Sequence, residues 1–311
     1  MSVTKLASFK IEFTGSNRHL YYNGNQQVSV TVTAQKIVDG NYVDLTPEEK
    51  NSIKVTERSE NVNAPLPPGW HSDTEKNEYA EGAFSATSSV KERLDPIPIN
   101  IDFIKADDNS PNVAIRYLRT TETASRQFMA TIVVAGTTYS TNMPDFNQYI
   151  SVSPSSPYQI QVSNLKLERD DAYNKEVSKG QHIDIDVYYW TLPSGLKVVR
   201  QSFSDYLNVF FSKHYPFYLS GSSPAICNSL IKPHVTSLDV NDFITQQSGN
   251  VRLYSAGIYI RGVRSRADGY VYASPGEKPY ISTTITDTYG CVHSYRCYSE
   301  NDHNTLKLTD A

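Results

Sequence analysis

The chain has 311 residues, of which 39% are hydrophobic and 20% charged, and its formal net charge at pH 7 is −4. This length exceeds that of one ordinary β-sandwich and predicts two domains, and the hydrophobic fraction is large enough to form buried cores. The longest basic cluster, Arg261 to Arg266, alternates with apolar and small residues. A slightly acidic chain without a basic stripe argues against nucleic acid as a partner.

Apolar and polar side chains alternate strictly in short runs along the chain, which is typical of antiparallel strands. Val28, Val30 and Val32, for example, alternate with Ser29 and Thr31. Seven predicted strands are typical of an immunoglobulin-like sandwich. In the first half the predicted strands are 6–13, 27–37, 53–58, 99–105, 113–119, 127–135 and 137–141.

Two features lie between these strands. Thr46, Pro47 and Glu49 form a capping box with proline at the first helical position, which predicts one helical turn over 47–51. Residues 60–95 are rich in proline and charge, and they predict a long irregular excursion with at most one strand, near 83–90. Trp70 within this excursion is expected to pin its loop to the core, and stacking on a ligand is the alternative.

A segment rich in serine and proline divides the chain into nearly equal halves. Residues 151–157 read Ser-Val-Ser-Pro-Ser-Ser-Pro, which supplies little packing surface and cannot form a central strand. We therefore predict an N-terminal β-sandwich over 1–145, an extended linker over 146–157 and a C-terminal β-sandwich over 158–311. The predicted fold class is all-β, with two tandem antiparallel sandwiches of immunoglobulin-like shape.

The second half shows the same alternation with longer loops. The alternation slips between Val162 and Leu165, which predicts a β-bulge in the first strand. Two segments, 220–228 and 233–249, lack the pattern and are predicted as loops, the second with one helical turn near 240–243. The predicted strands are 159–167, 182–191, 197–203, 207–211, 251–254, 257–264, 270–273, 280–287 and 291–298.

One face of the strand predicted at 182–191 is the strongest candidate binding site. His182, Asp184 and Asp186 alternate onto this face, and Tyr188 and Trp190 continue it. Carboxylate oxygens suit a hard cation such as Ca²⁺, and an indole ring suits the C–H face of a sugar. Same-face positions lie about 7 Å apart, too far for all three polar side chains to hold one ion without loop ligands. The favoured alternative is a solvated strand face partly covered by Trp190.

Two acidic segments are weaker candidates for a Ca²⁺ site. Asp107 and Asp108 lie in one of them, and Asp170 and Asp171 lie in the other. Neither segment has the spaced ligands and the glycine of a dedicated calcium loop. Aspartate is also a common turn former, so we predict turns at both places and no obligatory cofactor.

Three cysteines are too few for a disulfide framework. If residues 289–298 form one strand, Cys291 and Cys297 lie about 20 Å apart, beyond the roughly 7 Å between Cα atoms that a disulfide allows. A bridge from Cys227 to Cys291 or Cys297 is the only pairing that this spacing permits. Three buried or free thiols are the favoured interpretation.

The N-terminus does not show the apolar core of a signal peptide, because residues 1–5 run directly into a strand pattern. The uncharged stretch 127–144 is rich in threonine and has a small-residue turn at 135–137, so it predicts a hairpin and not a membrane span. We expect a cytoplasmic protein, or one that is released or displayed on a surface by a non-classical route.

Motifs of catalysis are largely absent, since the sequence has no His-Glu-x-x-His, no Gly-x-Ser-x-Gly and no glycine-rich phosphate loop.

Tyrosine is unusually frequent in this chain, with 22 residues. Phenol rings favour interfaces, although tyrosine is also a good strand residue.

These observations predict a non-enzymatic structural or binding module. It would be a subunit or tip protein of a bacterial or phage surface or secreted assembly, or a toxin-associated protein. Its partners would be other proteins or further copies of itself, bound for adhesion or assembly through tyrosine-rich strand faces and exposed edges. The alternatives are a lectin-like module that binds glycan at residues 182–190, assisted by Ca²⁺, and a hydrolase with a loop-borne site.

Overall fold

The computed structural model describes residues 3–85, 110–204, 218–219, 224–243, 247–269, 276–277 and 279–311. The chain divides into two compact units. The first unit comprises Met1–Tyr158 with Tyr289–Cys291, and the second comprises Gln159–Thr288 with Val292–Ala311. The predicted strands at 99–105, 207–211 and 270–273 lie outside the described residues, as does most of the strand predicted at 83–90.

The first unit is built from two antiparallel sheets. Its elements are β1 (Thr4–Phe13), β2 (Val28–Val38), β3 (Asn41–Val43), α1 (Pro47–Asn51), β4 (Lys54–Glu57), β5 (Trp70–Asp73), β6 (Val113–Thr120), β7 (Arg126–Val134), β8 (Thr137–Ser140) and β9 (Ile150–Val152). One sheet has the order β1-β2-β6-β5 with β3 on β2, and the other has β4-β7-β8 with β9 on β7. Alternate residues of β2 and β7 are buried in one shared core cluster. The all-β, antiparallel fold class is therefore confirmed for this half.

Two local predictions for the first unit are confirmed. The Thr46 hydroxyl accepts a hydrogen bond from the Glu49 amide at 3.2 Å, and the Glu49 carboxylate accepts one from the Thr46 amide at 2.9 Å, so α1 has its capping box. The Trp70 indole is buried and packs on Phe128 with ring centroids 4.6 Å apart, which pins the excursion to the core.

The segment predicted as an extended linker packs against the first unit over much of its length. Ile150–Val152 forms β9 and pairs with β7. Ser155 then exchanges main-chain hydrogen bonds with Leu20 and Tyr22, at 2.8 and 3.0 Å. Serine and proline content did not reveal this packing, because a three-residue strand contributes too few side chains to show alternation.

The second unit contains three groups of antiparallel strands. Its strands are β10 (Lys166–Ser178), β11 (Gln181–Thr191), β12 (Val198–Phe203), β13 (Tyr218–Leu219), β14 (Ala225–Leu230), β15 (Ser237–Asp239), β16 (Asn250–Arg252), β17 (Tyr259–Asp268), β18 (Gly276–Glu277), β19 (Ile281–Asp287), β20 (Val292–Glu300) and β21 (Thr305–Asp310). A six-stranded sheet has the order β10-β11-β17-β14-β13-β18, a four-stranded sheet has β12-β19-β20-β21, and β15 pairs with β16.

Four predictions for this half are wrong, and one of them is the loop at 233–249, which contains β15 (Ser237–Asp239). The bulged strand predicted at 159–167 is replaced by a 3-10 turn at Val162–Asn164, and β10 begins at Lys166. The loop predicted at 220–228 contains the start of β14, whose six residues are all buried. Residues 168–171, predicted as an acidic turn, lie within β10. The helical turn predicted near 240–243 is present as a 3-10 turn at Val240–Asp242.

The three cysteines are buried thiols that form no disulfide, so the bridge from Cys227 to Cys291 or Cys297 is not formed and the thiol interpretation is correct. Burial raises the pKa of Cys227 to about 12 and also raises the pKa of Cys297. Because the thiolate is the reactive form, these two side chains act as small apolar residues of the core.

Candidate functional site

The strand that carries the strongest predicted site is β11, and both of its faces are covered. The apolar face lies in the core cluster of the second unit. On the opposite face Asp186, Tyr188 and Trp190 are also buried, and only His182 and Asp184 reach solvent in part. The prediction of a solvated face is therefore wrong. Sugar stacking on Trp190 is wrong as well, because its indole is 2% exposed.

The hairpin of β20 and β21 packs against this second face. Asn228 of β14 donates hydrogen bonds to the Ser299 hydroxyl and to the His303 carbonyl, both at 2.7 Å. A Cβ added to Gly262 of β17 would lie 2.8 Å from Leu306 and 3.1 Å from the Trp190 ring. The face that carries Asp184 and Asp186 is therefore an internal layer between strands of one unit.

An ionic network fills the polar half of this layer. The Asp186 carboxylate accepts a hydrogen bond from Arg169 at 2.5 Å and another from Arg264 on the neighbouring strand β17. Arg264 also binds Asp184 at 2.7 Å. Arg264 and Asp186 are fully buried, whereas Arg169 is about half exposed at the sheet edge. Burial raises the pKa of Asp186, opposed by the hydrogen bond from Arg169.

The predicted cation ligands meet in the same network. Asp171 of β10 is the cross-strand partner of Asp186, and one carboxylate oxygen from each of Asp171, Asp184 and Asp186 lies within 4.8 Å of the others. The positive charge here is already supplied by Arg169 and Arg264, so the donor set fits a buried salt-bridge network better than a divalent cation.

The other predicted site residues lie apart from Asp171, Asp184 and Asp186. The Nε2 of His182 donates a hydrogen bond to the Asn174 amide oxygen at 2.7 Å, on the solvent side of the network. Asp170 faces the opposite side of β10 from Asp171, because it pairs with Val187. Asp107 and Asp108 lie outside the described residues.

The tyrosines of the described residues range from fully buried to well exposed. The prediction that Tyr188 contributes to a binding face on β11 is wrong, since its ring is buried, as is that of Tyr189 on the opposite face. The exposed rings lie elsewhere, on short strands and loops. The buried tyrosines are Tyr21, Tyr79, Tyr188, Tyr189 and Tyr295. The well exposed ones are Tyr42, Tyr149, Tyr254 and Tyr280.

A long sheet edge is the largest exposed backbone feature that the structure describes in the second unit. β10 has 13 residues and pairs on one side with β11, and it ends the strand order of the six-stranded sheet. None of its residues is buried, and Leu167 is 50% exposed. Strands are usually about 5–6 residues long, so this edge offers an unusually long row of main-chain groups. The register shifts beside Ala172 and Val177 mark two bulges along it.

A buried carboxyl with an unpaired oxygen lies in the 3-10 turn Val240–Asp242. Asp242 is 7% exposed, and its Oδ2 has no hydrogen-bond partner within the described part of the chain. Burial raises its pKa to about 6, opposed by a hydrogen bond from the Asp239 main chain, and the negative charge of the Asp239 side chain adds to the rise.

The raised pKa of Asp242 predicts that the protein becomes less stable as pH rises from about 4 to about 6. The unfolded chain releases this proton near pH 4, whereas the folded chain holds it until about pH 6, so the folded state binds more protons within this window. Asp242→Asn should therefore be about 1–3 kcal/mol more stable than the wild type at pH 7 and nearly equal to it at pH 3.5. Urea unfolding at both pH values measures this, and an equal difference at both would contradict it.

Comparison with known proteins gives no family assignment. Neither protein-family models nor curated protein sequences match the chain. Among solved structures, it is similar to domains 5-6 of the S-layer protein SbsC, with 6% identity and a TM-score of 0.23 over 99% of this chain and 98% of that one. It is also similar to the collagen binding domain of the Erysipelothrix rhusiopathiae surface protein RspB, with 7% identity and a TM-score of 0.13 over 98% and 94%. TM-scores this low do not establish a shared fold.

Within the described residues, no helix has the length and hydrophobicity to cross a membrane.

Proposed function

We propose that this protein is a non-enzymatic assembly and binding module, built from two tandem β-sandwiches of immunoglobulin-like shape. It would serve as a subunit or tip protein of a bacterial or phage surface or secreted assembly, or as a toxin-associated protein. The observation that carries the proposal is the 13-residue exposed edge of β10. Such an edge can accept a further strand, with main-chain hydrogen bonds giving affinity and side chains giving specificity.

The partner that best fits this edge is a second copy of β10. In an antiparallel pairing centred between Asp171 and Ala172, Glu168 of each copy lies opposite Lys175 of the other. Both side chains are exposed, and neither forms a salt bridge with a described residue. Within the sheet, Glu168 pairs with Tyr189 of β11 and Lys175 pairs with Ile183. Tyr189 and Ile183 lie on the same face of β11, and the bulge at Ala172 therefore places Glu168 and Lys175 on one face of β10 as well.

The rest of this pairing is also compatible in charge. Arg169 falls opposite Asn174, Asp170 opposite Tyr173, and no residue of the strand meets a like charge. Opposite charges on facing positions stabilise a strand pair by about 0.2–1 kcal/mol each, and like charges destabilise it by similar amounts. Because the pairing is two-fold symmetric, every such effect counts twice.

Reversing one charge of this pair should weaken self-association, and reversing both should restore it. Glu168→Lys or Lys175→Glu alone places two like-charge pairs at the interface, and we expect the dissociation constant to rise about tenfold. The double variant, or an equimolar mixture of the two single variants, places opposite charges in both pairs again. Size-exclusion chromatography with light scattering over a range of concentrations measures all four samples.

The matched control is the exposed pair of Lys307 and Glu300, whose charges lie 2.9 Å apart on β21 and β20. Reversing Lys307 changes the net charge by the same amount as reversing Lys175, and it should leave self-association unchanged. A wild-type chain that is monomeric at every concentration would refute assembly through β10. Equal weakening by the control, or a double variant that stays as weak as the single ones, would refute this pairing.

A further inference from the structure

A second surface of the protein has the features of a ligand site and is independent of the β10 edge. It is an open cleft of about 840 Å³ beside β16 and the start of β17, lined by Lys197, Arg252, Tyr254, Ser255, Ile258 and Tyr259. We call it the Tyr254 cleft. Its volume lies within the usual range of small-molecule sites, about 300–1,000 Å³.

The aromatic wall of the Tyr254 cleft rests on a buried ring. Tyr254 is 47% exposed, and its ring lies over Tyr189 of β11 with centroids 4.6 Å apart and planes inclined by 30°. Tyr189 is fully buried, and its hydroxyl accepts a hydrogen bond from the Tyr254 amide at 3.3 Å. Tyr259 completes the group, 5.3 Å from Tyr189. An exposed ring held in this way presents a flat, preorganised apolar face.

A buried arginine fixes the main chain at this ring. Arg261 is 1% exposed and donates to the Tyr254 carbonyl at 2.9 Å, and to the carbonyls of Lys232 and Pro233 at 2.7 and 3.0 Å. Burial lowers its pKa, opposed by the Tyr189 hydroxyl. Among the described residues Arg261 has no carboxylate partner. Its charge is therefore satisfied by two loops, which it holds in place under the cleft.

The charged residues of the Tyr254 cleft have one sign. Lys197 and Arg252 are both exposed, and neither forms a salt bridge within the described part of the chain. Among the described residues that line the cleft there is no aspartate or glutamate. A chain with a net charge of −4 thus places two cations beside an exposed aromatic ring, and no described carboxylate neutralises them. This combination suits a ligand with one anionic group and one apolar face.

We propose that the Tyr254 cleft binds an acidic saccharide, a sugar that carries a carboxylate, such as a uronic acid. The C–H face of the pyranose ring would pack on Tyr254 and Ile258, and the carboxylate would pair with Lys197 and Arg252. The Ser255 hydroxyl lies at the same wall and offers a hydrogen bond to a sugar hydroxyl. An acidic peptide shares the charge but lacks the flat apolar face that matches the exposed ring.

Calorimetric titration of the full chain with an oligogalacturonate, and with a neutral galactose oligosaccharide of equal length, tests the proposal. We expect binding of the acidic oligosaccharide that weakens with added salt, and binding of the neutral one that is at least tenfold weaker. Tyr254→Ala should weaken acidic sugar binding about tenfold or more, whereas Tyr254→Phe, which keeps the ring, should retain it. Lys197→Gln with Arg252→Gln should remove the preference for the acidic sugar.

The matched control is Tyr42→Ala, because Tyr42 is 68% exposed and lies on β3 of the first unit. It should leave the titration unchanged, and circular dichroism should show that both alanine variants are folded. The proposal is overturned if the oligogalacturonate does not bind at millimolar concentration, or if Tyr254→Ala and Tyr42→Ala have equal effects. Binding of a glutamate-rich peptide that is as tight as that of the acidic sugar, and that survives Tyr254→Ala, would assign the cleft to peptides and overturn it too.

Discussion

Replacing Arg264 by methionine is expected to lower the free energy of unfolding of the second unit by about 3–5 kcal/mol. Arg264 is fully buried between β11 and β14 and binds both Asp184 and Asp186. Methionine fills a similar volume, so the main loss is electrostatic: Asp186 stays buried with only the half-exposed Arg169 to balance its charge. Chemical denaturation with circular dichroism as the signal measures the change.

A matched control lies two residues further along the same strand. Arg266 of β17 pairs with Asp268 at 3.1 Å, and both side chains are more than a third exposed. Arg266→Met should therefore cost less than about 1 kcal/mol. Adding Asp186→Leu to Arg264→Met should recover part of the loss, because the fully buried carboxylate is then removed and only the partly exposed Asp184 has lost its arginine. Equal losses for Arg264→Met and Arg266→Met would show that the network does not stabilise this sheet.

The alternation of side chains predicted the strands that have one apolar face and one polar face. β2, β11 and β19 follow it over most of their length, and the all-β class could be assigned from them. Two of the strands that were missed break the rule, each for its own reason. β10 is an edge strand with no buried residue, so it reads as a charged loop, and β14 is buried on both faces, so its Ser229 and Asn228 read as turn residues.

The sequence could predict which residues of the candidate site share one face of β11, but it could not predict that this face is buried. Alternation correctly placed Asp184 and Asp186 on one face of β11 with Tyr188 and Trp190. Their burial depends on the β20–β21 hairpin, more than 90 residues further along the chain, and no local pattern reports such a contact. Arg264 could have indicated this burial from the sequence. It lies within a predicted strand, and an arginine on a strand that pairs with acidic residues can form salt bridges with them.

Replacing His293 by leucine is expected to lower the free energy of unfolding of the second unit by about 3–4 kcal/mol. His293 is fully buried on β20. Its Nδ1 accepts a hydrogen bond from the Ile160 amide at 3.1 Å, and its Nε2 lies 3.0 Å from the Asp287 carboxylate, which is also fully buried. This requires the tautomer that carries its proton on Nε2. Leucine fills the space but leaves a buried amide and a buried carboxylate without the imidazole.

The position of His293 adds a local consequence that global stability alone would not show. Tyr295 donates its hydroxyl proton to the Ile160 carbonyl at 2.8 Å, so both main-chain groups of Ile160 are bound by side chains of β20. Loss of one bond should free the start of the second unit, and limited proteolysis should then cut near residues 159–165 faster in His293→Leu than in the wild type. Asp287→Asn, which keeps an acceptor oxygen for Nε2, should cost only about 1 kcal/mol. His234→Leu removes an exposed histidine and should change neither measurement, so a loss there equal to that of His293→Leu would refute the assignment.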